Sequence, residues 1–199
     1  MPLFAIADLI SAATAGQVIS FATDTVPALA VKPEFAYEIY QVKQRDRAKP
    51  LILMAATWQE LSAYLDLESQ AGVEEIWHGM AEKYLPGGLT LVLPANSVGR
   101  SLNLDISNLG VRIPNHQLAL EILQKTGAML TTSANLSGAD PIRQLGYIAQ
   151  AFPQVAVANM PDPNLESGSG LPSTVVVWSA AGWQILRQGA ITFESQTCT

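Results

Sequence analysis

The chain has 199 residues, 49% hydrophobic and 14% charged, with 17 acidic side chains against 11 basic ones and a formal net charge of −6. That mixture specifies a globular domain rather than a disordered chain, and the length suits one domain burying about 70% of its unfolded surface. The lone cysteine, Cys198, excludes a disulfide framework and a cysteine-based metal site, and no stretch approaches the ~18 apolar residues of a membrane span.

In chain order, residues 3–14 have a helical period closed by Gly16, with no basic residue before the apolar stretch, so they read as an amphipathic helix and not a signal peptide. A cytoplasmic location is the expectation. QVISFAT (17–23) is a β-branched and aromatic run, a strand. Phe35, Ile39 and Val42 recur at helical spacing, which predicts a helix over 34–43. LILMAA (51–56) reads as a buried strand, and Thr57 with Glu60 forms a capping box that opens the helix TWQELSAYL. A helix follows over 69–84, stopped by Pro86-Gly87-Gly88.

LTLVLP, GVRIP, AMLTT, VAVA, STVVVW and WQILR supply further strands, with helices at 116–126, closed by Gly127, and at 142–151. Residues 161–172 have loop composition between strands and read as a mobile active-site loop; 192–199 read as a frayed tail after one domain over 1–191. The pattern predicts a single α/β domain: a twisted mixed parallel/antiparallel sheet with flanking helices. Polar clusters at strand ends are then placed to converge on one cleft.

One cluster is KQRDRAKPL. Lys43, Arg45, Arg47 and Lys49 alternate and would share a face if extended, making either a solvated surface or a phosphate site. TTSANLSG (131–138) follows a strand and offers either hydrogen bonds to a polar ligand or plain turn chemistry. Arg112 lies in an apolar strand and needs a partner, whether a structural salt bridge or a ligand carboxylate. Asp24 reads equally well as a turn cap. His78 and His116 lack ligand partners at metal spacing and read as structural; no metal site is expected. No Gly-rich phosphate cradle, nucleophile elbow or activated cysteine is present, so an enzyme here would position substrates and neutralise charge.

Seven segments in order, ATDTVPALA, KQRDRAKPLILM, LPGGLTLVLP, LGVRIPNH, TTSANLSG, LPSTVVV and ILRQGAI, resemble the YrdC-like family of threonylcarbamoyl-AMP synthases, in its short single-domain form, over about residues 17–191. The resemblance implies a nucleotidyltransferase that makes threonylcarbamoyl-AMP and pyrophosphate from L-threonine, bicarbonate and ATP, with Mg²⁺ carried by ATP. It serves the t6A37 modification of tRNA, with tRNA threonylcarbamoyl-transfer proteins downstream and tRNA itself a candidate partner. By the same resemblance, Lys43 and Arg45 are catalytic and contact ATP with Lys49, Asn108, Ser133, Asn135 and Arg187. Thr25, Met54, Arg112, Thr131 and Ser173 form the threonine pocket, with Arg112 on the carboxylate.

The chain departs from the family pattern at Pro27-Ala28, where Tyr-Gly is usual, at Asp46 in place of Pro, and at Ala139-Asp140-Pro141 in place of Pro-Ser. Asp46 is expected to pair with Arg47. Two other functions compete: an RNA-binding module without catalysis, opposed by the acidic charge, and a paralogue using ATP with another carbamoyl or amine substrate.

Overall fold

The computed structural model describes residues 3–68, 72–102, 107–136 and 138–194. Nine strands form one sheet: β1 (Ile19–Phe21), β2 (Ala28–Val31), β3 (Ile52–Met54), β4 (Leu89–Pro94), β5 (Asn108–Arg112), β6 (Met129–Ser133), β7 (Ala156–Val157), β8 (Thr174–Ser179) and β9 (Gly182–Arg187). Their spatial order is β7-β1-β2-β6-β3-β5-β4-β8-β9. The β1/β7, β3/β5 and β4/β8 pairs are parallel and the other five antiparallel, so the sheet is mixed.

The helices are α1 (Ile6–Thr14), α2 (Ala36–Lys43), α3 (Trp58–Ser62), α4 (Glu74–Tyr84), α5 (Ser97–Ser101), α6 (Gln117–Thr126) and α7 (Leu145–Ala151). Helix α1 packs on α6, β1 and β7, and α7 packs on β1 and β7. Because strand side chains alternate between faces, Leu53, Leu91, Leu93, Leu109, Val111 and Leu130 bury into the apolar core. Their alternates on the other face are left for a cleft. Among the described residues no helix is long and apolar enough to cross a membrane.

The capping box forms as the sequence predicts: Thr57 Oγ1 accepts from Glu60 N, and Glu60 Oε2 accepts from Thr57 N. Gly127 ends α6 at φ +76. Several boundaries differ. Helix α4 begins at Glu74, not before, because Gly72 has φ +89, which no helix continues; residues 69–71 of that prediction lie outside the described residues. Phe4 bridges Ala158 instead of starting a helix. Strand β2 has no counterpart in the sequence reading. The tail reading is corrected at its start: Phe193 is buried and its ring lies 5.7 Å from Tyr84, while 195–199 lie outside the described residues.

Candidate active site

The KQRDRAKPL segment does not run extended. Helix α2 ends on Lys43, Gln44 turns left-handed at φ 50, and Lys49 N bonds Asp46 O across a turn. The four cations therefore part company. Arg45 donates through Nε to Lys49 O and through Nη2 to Pro50 O, which staples the turn and leaves Nη1 for a ligand. Lys49 is exposed at its edge. Arg47 points away, its guanidinium 5.6 Å from the Tyr37 ring centroid. It makes no ion pair with Asp46 among the described residues; Asp46 Oδ1 accepts from Ala48 N instead, the short side chain closing its own turn.

Above the turn, alternate residues of seven neighbouring strands line a cavity of about 610 Å³. Its floor is bare at Gly110, where an added Cβ would meet Ile52, Thr90 and Val92 at 3.4, 3.5 and 3.9 Å. Four cations border it: Arg45, Lys49, Arg112 and Arg187. Its described lining has no carboxylate, histidine or cysteine. Among the described residues no three His, Cys, Asp or Glu side chains come together to hold a metal.

Arg112 is 4% exposed and its donors are already aimed: Nε to Gly87 O, Nη1 to Thr25 Oγ1 at 2.8 Å, and Nη2 to Asp24 Oδ1 at 2.7 Å. Asp24 Oδ1 also accepts from Asn115 N. The salt bridge and the cavity position coexist, since each Nη keeps one further N–H. Burial lowers the Arg112 pKa, Asp24 opposes that shift, and the charge of Arg187 adds to it, so the two arginines make one cationic pole. Burial lowers Arg187 and Arg45 too, with Tyr40 and Asp46 opposing at Arg45. Both stay charged at neutral pH.

Arg187 donates through Nε and Nη2 to Ser173 O, and Ser173 Oγ shares a 2.8 Å hydrogen bond with Thr90 Oγ1. Thr131 Oγ1 donates to Ile52 O. Ser133 Oγ donates to Asn135 Oδ1 at 2.7 Å.

Of the predicted site residues, all but Lys43 and Asn135 border the cavity; those two stand directly behind Ser133. His78 and His116 lie off the described lining; burial lowers the His116 pKa, with Asp24 opposing. Thr90 and Gly110 were missed by the sequence reading. A threonine fully buried in the apolar strand LTLVLP was the available signal, because its hydroxyl needs a partner.

Residues 161–172, read from the sequence as mobile, are strapped to the pocket. Ser169 N donates to Asp24 O, Gly170 N to Thr25 O and Ser167 N to Arg143 O, and Arg143 pairs with Glu166 at 2.7 Å. Gly168 sits at φ +67 so close to the chain that an added Cβ would be 2.4 Å from Thr25 O.

Fold and site together define an α/β domain with a cationic cavity on one face of a mixed sheet, its described lining without carboxylate, histidine or cysteine. The family Sua5_yciO_yrdC, described as telomere recombination, matches residues 11–189. A threonylcarbamoyl-AMP synthase of Serratia proteamaculans is 33% identical over 141 residues, 68% of this chain and 73% of that protein. The protein of that name from Vibrio parahaemolyticus is 31% identical over 186 residues, 91% of this chain and 97% of that protein. Among solved structures, P. abyssi Sua5 complexed with L-threonine superposes with a TM-score of 0.81 at 25% identity, over 92% of this chain. The chain spans 54% of that Sua5. The chain belongs to the Sua5/YciO/YrdC family.

Proposed function

We propose that the chain is a threonylcarbamoyl-AMP synthase, a transferase of the nucleotidyl class. The observation that carries this reading is the cavity itself: four cations and no described carboxylate on the wall of a protein with net charge −6. The names of the Serratia and Vibrio relatives and the threonine complex of P. abyssi Sua5 support it.

In this reading the amine of L-threonine takes up bicarbonate to give a carbamate and water. A carbamate oxygen attacks the α-phosphorus of ATP, the bond to the bridging oxygen breaks, and pyrophosphate leaves. Such a displacement asks the protein for alignment and charge neutralisation, not a nucleophile. Arg45 and Lys49 take the polyphosphate, with Ser133, Asn108 and Arg187 beside the nucleotide. The free N–H groups of Arg112 take the threonine carboxylate, and Thr25, Met54, Thr131 and Ser173 shape its pocket. In this reading Mg²⁺ comes with the substrate, as MgATP. The product serves tRNA threonylcarbamoyl-transfer proteins in the cytoplasm.

The test is pyrophosphate release with each substrate omitted in turn. Release should require ATP, threonine and bicarbonate together. Release from ATP alone, or none with all three present, overturns the reading. Replacing threonine by other amino acids in the same assay measures selectivity beside Pro27 and Ala28, which line the cavity.

A further inference from the structure

Lys43 is a cation that does not border the cavity. It is 1% exposed and closes α2, and the left-handed Gln44 carries the chain away from it. Its ammonium has three N–H groups and meets three acceptors: Ser133 O, Asn135 Oδ1 at 2.5 Å and Ser133 Oγ at 3.4 Å. The same atoms are tied to one another. Ser133 O also accepts from Asn135 N, Asn135 Oδ1 accepts from Ser133 Oγ, and Asn135 Nδ2 donates to Ala139 O. Every acceptor is neutral, and Lys43 makes no ion pair among the described residues. Of this knot only Ser133 borders the cavity.

We propose that Lys43 is a positioning residue, whose buried ammonium fixes the Ser133–Asn135 turn and so presents Ser133 to the phosphates of the nucleotide, without touching substrate itself. The proposal rests on the nucleotide reading above. It separates Lys43 from Arg45, which keeps a free Nη1 on the wall.

A buried ammonium held by neutral acceptors is electrically incomplete. Arg45, on the next turn, is the charged group that bears on it; Tyr40 of α2 donates its hydroxyl to Lys49 O, and β6 contributes only Ser133 and the residues of its turn. Burial first, and Arg45 second, lower the Lys43 pKa to about 7. A polyphosphate arriving beyond Ser133 favours the charged form and raises that pKa again. Nucleotide binding above pH 7 therefore takes up a proton, and affinity falls as pH rises through and above 7.

The test is a double-mutant cycle on ATP binding with wild type, Lys43→Met, Asn135→Ala and the double variant. If both residues act through one turn, each single loses roughly tenfold and the double loses no more than the worse single. Multiplying losses, roughly 100-fold in the double, mean an independent phosphate contact and overturn the proposal. Lys43→Gln, which keeps a donor, should recover part of the loss. Calorimetry at pH 8 in buffers of different ionisation enthalpy should show uptake approaching about one proton per ATP in wild type and none in Lys43→Met. Equal uptake in both, or none in wild type, overturns the linkage.

The cycle is repeated on urea stability, where no nucleotide is present. Failure of wild type to bind ATP sinks the functional reading alone, while additive stability losses sink the positioning role.

Discussion

At the residue scale, the arginine fork decides the site. Arg112 uses one N–H from each of its three nitrogens on Gly87, Thr25 and Asp24, so its two remaining N–H groups are aimed before any ligand arrives. A lysine has neither the fork nor the reach to all three partners. Arg112→Lys should therefore weaken threonine binding about 10- to 100-fold while leaving ATP affinity within about threefold. Equilibrium binding of each substrate alone checks this, and unchanged threonine affinity refutes the carboxylate role. The same residue shows how sequence and structure divide the work. An arginine in an apolar strand announces that it needs a partner; that Asp24, 88 positions away, is the partner and still leaves donors free is a matter of register.

At the element scale, the strap over 161–172 holds the Thr25 side of the cavity, the proposed threonine pocket, in shape through backbone bonds to Asp24 and Thr25. Gly168→Ala puts a methyl group against Thr25 O at a left-handed φ, so the strap must lift. The expected outcome is a loss of about 1–3 kcal/mol in stability by urea titration, with a matching fall in threonine affinity. Unaltered threonine binding in a destabilised variant would confine the strap to a purely structural role. Loop composition was legible in this stretch, but attachment was not, because backbone hydrogen bonds carry no side-chain signature.

The strands divide in the same way. LTLVLP and STVVVW announce themselves by β-branched and leucine-rich runs, whereas β2, ALAV, is short, rich in alanine and preceded by Pro27. It is a strand because β1 and β6 flank it on both sides. Polar clusters at strand ends correctly pointed to one cleft. The KQRDRAKPL row shares one face only if extended, and here a helix end and a turn divide it, so Arg45 and Lys49 border the cavity while Lys43 and Arg47 do not.

At the scale of the whole molecule, charge is segregated. Four of the 11 basic residues line the cavity, so the rest of the chain sets 17 acidic side chains against seven basic ones. Attraction for a polyphosphate is short-ranged and confined to the cavity, while the exterior repels it. ATP affinity should fall several-fold between about 50 and 500 mM salt, yet the association rate should hold or rise as the outer repulsion is screened. Stopped-flow binding across that range separates the two; an association rate falling steeply with salt would contradict the segregation. The same exterior opposes a nucleic-acid-binding role for the outer surface.

The bare floor at Gly110 has a consequence for how this chain can change. An alanine there would meet its three neighbours at ordinary contact distance, on a residue that needs no left-handed backbone. The methyl group would shorten the chamber without disturbing the cations around it. Ligand size and charge recognition are thus written at separate positions, and the first can drift, or be engineered, while the second stays fixed.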